Sequence, residues 1–328
     1  MIQRRHFLRL AGLTTLGLAY TGSALAQPQP HFTRGDFSLE GNRIRFSGPA
    51  FRVPNRVFFV SDTHLWQSDD REQPYRQYSE RMAAAYNQTQ DFQTGQPTNP
   101  MQAFEATLKL AVEQKIDLLV LGGDIFSYPS EAAIEWLEAR VVETGIPYVY
   151  IAGNHDWHYE GMPGSAVDLR REWCEKRLLP LYQGANPLMA TRDVHGIRFI
   201  IIDDSTNEIL PEQLAYFNQQ VAFDGPVVLV AHVPMYVPGK PITFSCGNPH
   251  WGAATDTLHI MERRQQWPAK HSKVTMDFHQ RVFSTPNLVG ILAGHIHIPS
   301  VDVFNGIPQF VAPPNLAGGF LDVRFEPQ

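Results

Sequence analysis

The chain has two cysteines in 328 residues, Cys174 and Cys246, too few and too far apart for a disulfide framework. An oxidising compartment would permit one bridge, but sequence spacing does not bring two Cα atoms within bonding range. Long hydrophobic runs are missing too. The weakly apolar segment that extends to about residue 19 is shorter than the ~20 residues a membrane span needs. Basic charge is in short supply: 27 Lys and Arg stand against 33 Asp and Glu, for a net charge of −6. That balance argues against nonspecific binding to nucleic acid or to acidic membranes, both of which call for a basic face. No internal repeat or low-complexity segment is present.

What the chain does have begins at its N-terminus. Arg4-Arg5-His6-Phe7-Leu8 opens the weakly apolar segment, and Ala24-Leu25-Ala26 closes it. A basic start, a short apolar middle and an A-x-A site have the layout of a twin-arginine export signal over residues 1–26. The competing reading, an amphipathic helix of the folded domain, is weakened by the glycines and threonines in the run and its lack of acid. Cleavage would remove three arginines and take the net charge to about −9. The expectation is therefore export by the twin-arginine machinery to the periplasm or medium, with residues 27–328 as one domain.

Beyond that segment the strongest pattern is a recurrence. Short apolar runs at 57–60, 118–121, 148–151, 227–230 and 289–292 each end in potential metal ligands. In order these are Asp62 with His64, Asp124, the group Asn154-His155-Asp156, His232, and His295 with His297. An amide, an imidazole and a carboxylate placed side by side at a strand's end rarely serve packing.

Apolar spacing predicts helices over 101–114, 131–143, 165–177 and 211–220, with Ser130 capping the second and Gly145 stopping it. Strands are expected at 197–202 and, closing the chain, at 298–304, 309–311 and 320–325. Alternation over 37–45 around Glu40-Gly41-Asn42 reads as an edge hairpin. Short strands alternating with helices imply an α/β domain with covered sheets. Two excursions interrupt the order. Residues 66–99 are rich in Gln, Asn and Arg, with a helical candidate at 75–86, and read as a substrate wall or a solvated loop. Residues 234–286 lie between two ligand clusters and are expected to overhang the site.

In an α/β sheet, loops converge at the carboxyl ends of the strands, so ligands gather there. Three aspartate or asparagine groups and four imidazoles, with no thiolate, suit Mn, Fe or Zn better than Mg, Ca or a soft metal. One ion does not need so many groups. Two ions sharing Asp124, with a bridging water, would use them all. Such a pair makes hydroxide available near neutral pH and clamps the attacking and leaving oxygens of an in-line phosphoryl displacement.

The set Asp62-Thr63-His64, Gly123-Asp124, Gly153-Asn154-His155-Asp156, His232 and Gly294-His295-Ile296-His297, in that order, resembles the calcineurin-like metallophosphoesterases. The resemblance covers residues 57–297. It implies a four-layer αββα sandwich of two mixed β-sheets flanked by helices. It also implies that Asp62, His64 and His297 hold one metal, that Asn154, His232 and His295 hold a second, and that Asp124 bridges them. His155 would act on the phosphate or leaving group. Many members carry an acid three residues after the bridging aspartate to orient that histidine, where this chain has Ser127. Asp156 is then the candidate orienting carboxylate.

His158, His250, Trp251, Arg263 and Arg264 are candidate substrate contacts, each with a structural reading of equal or greater weight, and Trp66 in the first ligand loop reads as a cover on the core. The leading expectation is an exported dinuclear hydrolase of a phosphate monoester or diester, acting on a small-molecule or exposed phosphate. The alternatives are a non-catalytic metal- or ligand-binding protein and a dinuclear amide or peptide hydrolase, which the motif order disfavours.

Overall fold

The computed structural model of the chain describes residues 34–87, 89–238 and 271–328. The expected export segment 1–26, Cys246, His250, Trp251, Arg263 and Arg264 lie outside the described residues. In chain order the elements are β1 (Asp36–Glu40), β2 (Arg43–Gly48), β3 (Asn55–Val60), α1 (Arg76–Tyr86), β4 (Thr89–Gln90) and β5 (Pro97–Thr98). Next come α2 (Pro100–Glu113), β6 (Leu118–Gly122), α3 (Glu131–Thr144), β7 (Tyr148–Ile151), α4 (Ala166–Trp173), β8 (Met189–Val194) and β9 (Ile197–Ile202). The rest are α5 (Pro211–Gln220), β10 (Val227–Val230), α6 (Lys273–Val282), β11 (Leu288–Ala293), β12 (Ser300–Phe304), β13 (Ile307–Val311) and β14 (Leu321–Pro327).

The strands form two six-stranded sheets, in the orders β1-β2-β14-β3-β6-β7 and β12-β13-β11-β10-β9-β8. Both are mixed. In the first, β3, β6 and β7 run parallel while β14 lies antiparallel to β3. In the second, β9, β10, β11 and β13 run parallel, with β8 and β12 antiparallel at the edges.

Side-chain alternation explains the layers. Val57, Phe59, Leu118 and Val120 face Phe199, Ile201, Val228, Val230 and Leu292 of the second sheet, forming the core between the sheets. Their chain neighbours Phe58, Val60, Leu119 and Leu121 point the other way, against Phe104 and Leu108 of α2 and Ile134 and Leu137 of α3. Ile200, Ile202, Leu229 and Ile291 likewise meet Phe217 of α5 with Phe278 and Val282 of α6. Strands covered on both faces carry apolar residues at every position, which is why these runs are continuous. Two mixed sheets with helices outside are the four-layer sandwich expected. The helix boundaries follow ordinary capping, as at α3, where Ser130 Oγ accepts from Ala133 N–H and Gly145 ends the helix at φ 64°.

Three features depart from the sequence reading. The helix expected over 165–177 is α-helical only to Trp173 and continues as a π-turn through Cys174–Leu178. Strand β8 departs from that reading because in MATRDV only Val194 is buried, too little to produce an alternating pattern. Helix α6 was hidden in the second excursion. Ser272 caps it, and only Thr275, Phe278 and Val282 of its ten residues are buried. Among the described residues no helix is long and apolar enough to cross a membrane.

Candidate metal centre

The ladders between parallel strands continue into the loops at their carboxyl ends. Asp62 N–H donates to Gly123 O at 3.0 Å, His64 N–H to Asp124 O at 3.0 Å, and Gly294 N–H to His232 O at 2.9 Å. These bonds hold unusual backbone: Asp62, His64, Asp124, His295 and His297 all have left-handed φ, between 50° and 71°. Each such residue costs about 1–3 kcal/mol and persists where its surroundings over-determine it, a condition that clusters at functional sites. The fold thus bends five of the seven expected ligands back toward one another.

Two groups of donors result, each with its ligand atoms within 4.8 Å of one another: Asp62, His64 and His297, and Asp124, His232 and His295. In the first, His297 Nε2 lies 3.2 Å from Asp62 Oδ1 and 3.1 Å from His64 Nε2. In the second, His232 Nε2 lies 3.2 Å from Asp124 Oδ2. Asn154 Oδ1 is buried and accepts no hydrogen bond, and His64 Nδ1 is buried with no partner. Buried polar atoms are normally satisfied, so a cluster of convergent imidazoles, carboxylates and an orphan amide oxygen fits a bound cation.

Second contacts fix several ligands. His232 Nδ1 lies 2.9 Å from Gly122 O, a contact in which Nδ1–H donates and Nε2 is left to coordinate. Asp204 Oδ1 accepts the N–H groups of His232 and Val233, each at 3.0 Å. Asp62 accepts from His295 N–H through both oxygens and from Ser61 Oγ. The motif glycines permit this crowding. A Cβ on Gly153 would stand 2.1 Å from Asp124 Oδ1, and one on Gly294 would stand 2.6 Å from Asp62 Oδ2.

Electrostatics follow from burial and neighbours. Burial opposes the His232 cation, but Asp124 outweighs it and pushes the imidazole up to about 10. For Asp124, burial opposes ionisation, yet His232, His155 and His64 together hold the carboxyl well below its usual range. Burial, then repulsion from His155 and His297, keeps His64 well below its ordinary value. Burial lifts the Asp204 carboxyl to about 7, even though its bonds to backbone N–H groups favour the ionised form.

His155 falls outside both donor groups. Its N–H donates to Asp124 Oδ1 at 2.8 Å, and its ring meets His64 edge to face with centroids 5.0 Å apart. Asp156 does something other than orient it. Its Oδ1 accepts Phe126 N–H at 2.8 Å and its Oδ2 accepts Gly153 N–H at 2.7 Å, so the buried carboxylate braces two ligand loops. Burial and the nearby Asp124 lift that carboxyl to about 8. Ser127 Oγ donates to His64 O at 3.0 Å and likewise serves the first loop. Trp66 packs against the core with its carbonyl accepting from Tyr128, and His158 N–H donates to His155 O in the turn after it.

The sequence reading missed Tyr86 and Asp204. Tyr86, from the polar excursion, stacks on His64 at 4.0 Å. Asp204 follows the apolar strand β9 just as the ligands follow theirs, a signal that was available.

Fold and donor set together define a β-sandwich that carries two possible metal-ligand groups at the ends of its strands. Residues 55–299 match the family model of the calcineurin-like phosphoesterases, and the chain belongs to that family. It is 24% identical over 221 residues to a probable cyclic nucleotide phosphodiesterase of Psychrobacter sp. strain PRwf-1, a match covering 64% of this chain and 56% of that protein. A probable cyclic nucleotide phosphodiesterase of Psychrobacter arcticus is also 24% identical, over 64% of this chain and 68% of its own. Among solved structures, a dimetal phosphatase from Danio rerio superposes with a TM-score of 0.50 at 11% identity, covering 83% of this chain and 92% of that one.

Proposed function

We propose that the chain is a metal-dependent phosphoesterase that prefers diesters. The observation that carries this reading is the pair of donor groups, with a histidine beside them that belongs to neither. Asp62, His64 and His297 would hold one ion, and Asn154, His232 and His295 the other, with Asp124 shared. When bound, two such ions supply a nucleophile near neutral pH and positive charge against the phosphoryl oxygens.

The chain's own residues do the rest. Asp124 ties the His155 backbone to the second group, and the His64 ring fixes the side of the His155 imidazole. His155 Nε2–H would give its proton to the departing oxygen, leaving an alcohol and a neutral ring, or would donate a hydrogen bond to a phosphoryl oxygen.

Two observations favour a diester. Both curated relatives are named as probable cyclic nucleotide phosphodiesterases. The second is a cleft of about 840 Å³ formed by the first excursion and α2, lined by Asn87, Thr89, Gln90, Thr98, Asn99 and Gln102. Thr89 Oγ1 donates to Leu316 O and Leu316 N–H donates to Asp62 O, which ties this wall to the backbone of the first candidate ligand. Carboxamides and hydroxyls without a charged group suit the neutral second alcohol of a diester.

The test is hydrolysis, with Mn, of bis(4-nitrophenyl) phosphate, 4-nitrophenyl phosphate, 3′,5′-cyclic AMP and a nitroanilide. The diesters should be preferred and the anilide left intact. Hydrolysis of the anilide, or of nothing, overturns the reading.

We further propose twin-arginine export, on the strength of Arg4, Arg5 and the Ala24-Leu25-Ala26 site. Replacing both arginines by lysine should retain uncleaved protein in the cytoplasm. Secretion of the double variant starting at Gln27 would overturn it.

A further inference from the structure

A histidine that binds a metal through one ring nitrogen normally donates the other N–H to a carbonyl or carboxylate, which fixes the ring's orientation. His232 follows that rule through Gly122 O. His64 does not. Its Nε2 faces His297 at 3.1 Å, and its Nδ1 is buried with no hydrogen-bond partner. The side chain is fully buried, so bulk solvent does not reach it.

What touches the ring instead is Tyr86, the last residue of α1. The two rings lie 4.0 Å apart between centroids and 21° from parallel, a stacked contact. Tyr86 is also near-perpendicular to His155 at 6.2 Å and tilted against His297 at 6.1 Å. Its helix is itself held in place. Upstream of it Glu72 is buried, accepting Tyr159 OH at 2.7 Å and Arg177 Nη1 at 2.6 Å. After the helix, Thr89 anchors the chain to Leu316. A polar excursion fastened on both sides of one tyrosine is not merely a solvated loop.

We infer that Tyr86 is the positioning residue of His64: its ring face, rather than a hydrogen bond, sets the plane of that imidazole. A flat contact blocks rotation about the Cβ–Cγ bond, which would swing Nε2 away from Asp62 and His297. The inference rests on the two-ion reading proposed above.

The experiment is Mn titration of the metal-free full-length protein by calorimetry, with thermal unfolding in chelator alongside. The variants are Tyr86→Phe, Tyr86→Leu, Tyr86→Met and Met82→Ala. Tyr86→Phe keeps the ring and should bind both ions as the parent does. Tyr86→Leu should weaken one site by ~10–100-fold, the range found for lost supporting contacts, and leave the other unchanged. Tyr86→Met should do the same with more adaptable packing, so the result stands if the leucine variant does not fold. Met82→Ala should lower the unfolding temperature in chelator while sparing both affinities, which separates positioning from general stability. The inference is overturned if the leucine and methionine variants bind both ions normally. It is equally overturned if Met82→Ala loses as much affinity, or if Tyr86→Phe behaves like Tyr86→Leu. A parent protein that binds no metal would overturn the two-ion reading as well.

Discussion

Strand β3 and its neighbours carry two very different kinds of chemistry at their two ends. At the start of β3, Arg56 makes a two-pronged contact with Asp322, with both bonds 2.6 Å long, and its N–H donates to Asp117 at 2.8 Å. Asp117 N–H returns a bond to Arg56 O, and none of these residues has left-handed backbone. At the other end five of the seven candidate ligands are bent into the left-handed region, and the buried atoms His64 Nδ1 and Asn154 Oδ1 have no hydrogen-bond partner. The first end is built around ion pairs on ordinary backbone, although the carboxamide of Asn55 beside them is buried without a hydrogen-bond partner. The other stores strain and unmet valence that a cation would satisfy. The contrast says where a substitution should change folding and where it should change chemistry.

The largest effect belongs to the shared carboxylate. Asp124→Asn keeps shape but removes the charge assigned to both ions, so the purified variant should carry neither metal, and activity should go with them. Elemental analysis decides the matter. Two metals per chain in the variant would erase the contrast at its centre.

Next comes His155→Ala, which should retain both metals and the parent's unfolding temperature while kcat falls by roughly 10² to 10⁴. The loss should be larger for an alkyl ester than for a nitrophenyl ester of the same phosphate class, because only the poor leaving group needs a proton. Equal losses would assign the histidine to charge on the phosphoryl oxygens. A lost metal would make His155 a ligand.

Smaller is Asp204→Ala. It leaves the buried N–H groups of His232 and Val233 without their acceptor, and metal affinity at the second group should drop by ~10–100-fold. Calorimetric titration measures it. Unchanged affinity would mean that the Gly122 contact alone holds His232.

These expectations also mark what the sequence could reveal. Each candidate ligand stands out because a doubly covered strand must be apolar throughout, so an Asp or His straight after it breaks the pattern, as His232 does after Val227–Val230. The layering was legible for the same reason. The supporting residues were not, because their partners come from remote parts of the chain. Asp156 is adjacent to His155, and proximity suggested a partnership. Its oxygens instead reach Phe126, 30 residues back, and Gly153. Tyr86 sits in a segment whose composition is that of a solvated loop, and only the Met82 and Tyr86 spacing of i and i+4 marks a buried face. Adjacency in sequence predicts local geometry, and contact across 20 or more residues is a property of the fold.

The smallest effect lies at the opposite end of the strands and should leave catalysis alone. Burial would raise the Asp322 carboxyl, but its bonds to Arg56 and Arg324 outweigh burial and hold it below the usual carboxylate range. A carboxyl with a lowered value in the folded state contributes stability above its unfolded value, near 4, and loses it as pH falls through the folded value. Asp322→Asn should therefore be less stable than the parent by about 2 kcal/mol at pH 7, the size of a few bonds to a charged partner. That gap should hold steady down to about pH 4 and then narrow as the parent's own carboxyl takes up its proton. Denaturant unfolding at pH steps from 7 to 3 would follow it, with kcat and metal content of the variant measured at pH 7. A gap that changes around neutrality, or stays constant through the acid range, would show that Asp322 is not what the pair's stability depends on. A variant with normal stability and damaged catalysis would abolish the division between the two ends of β3.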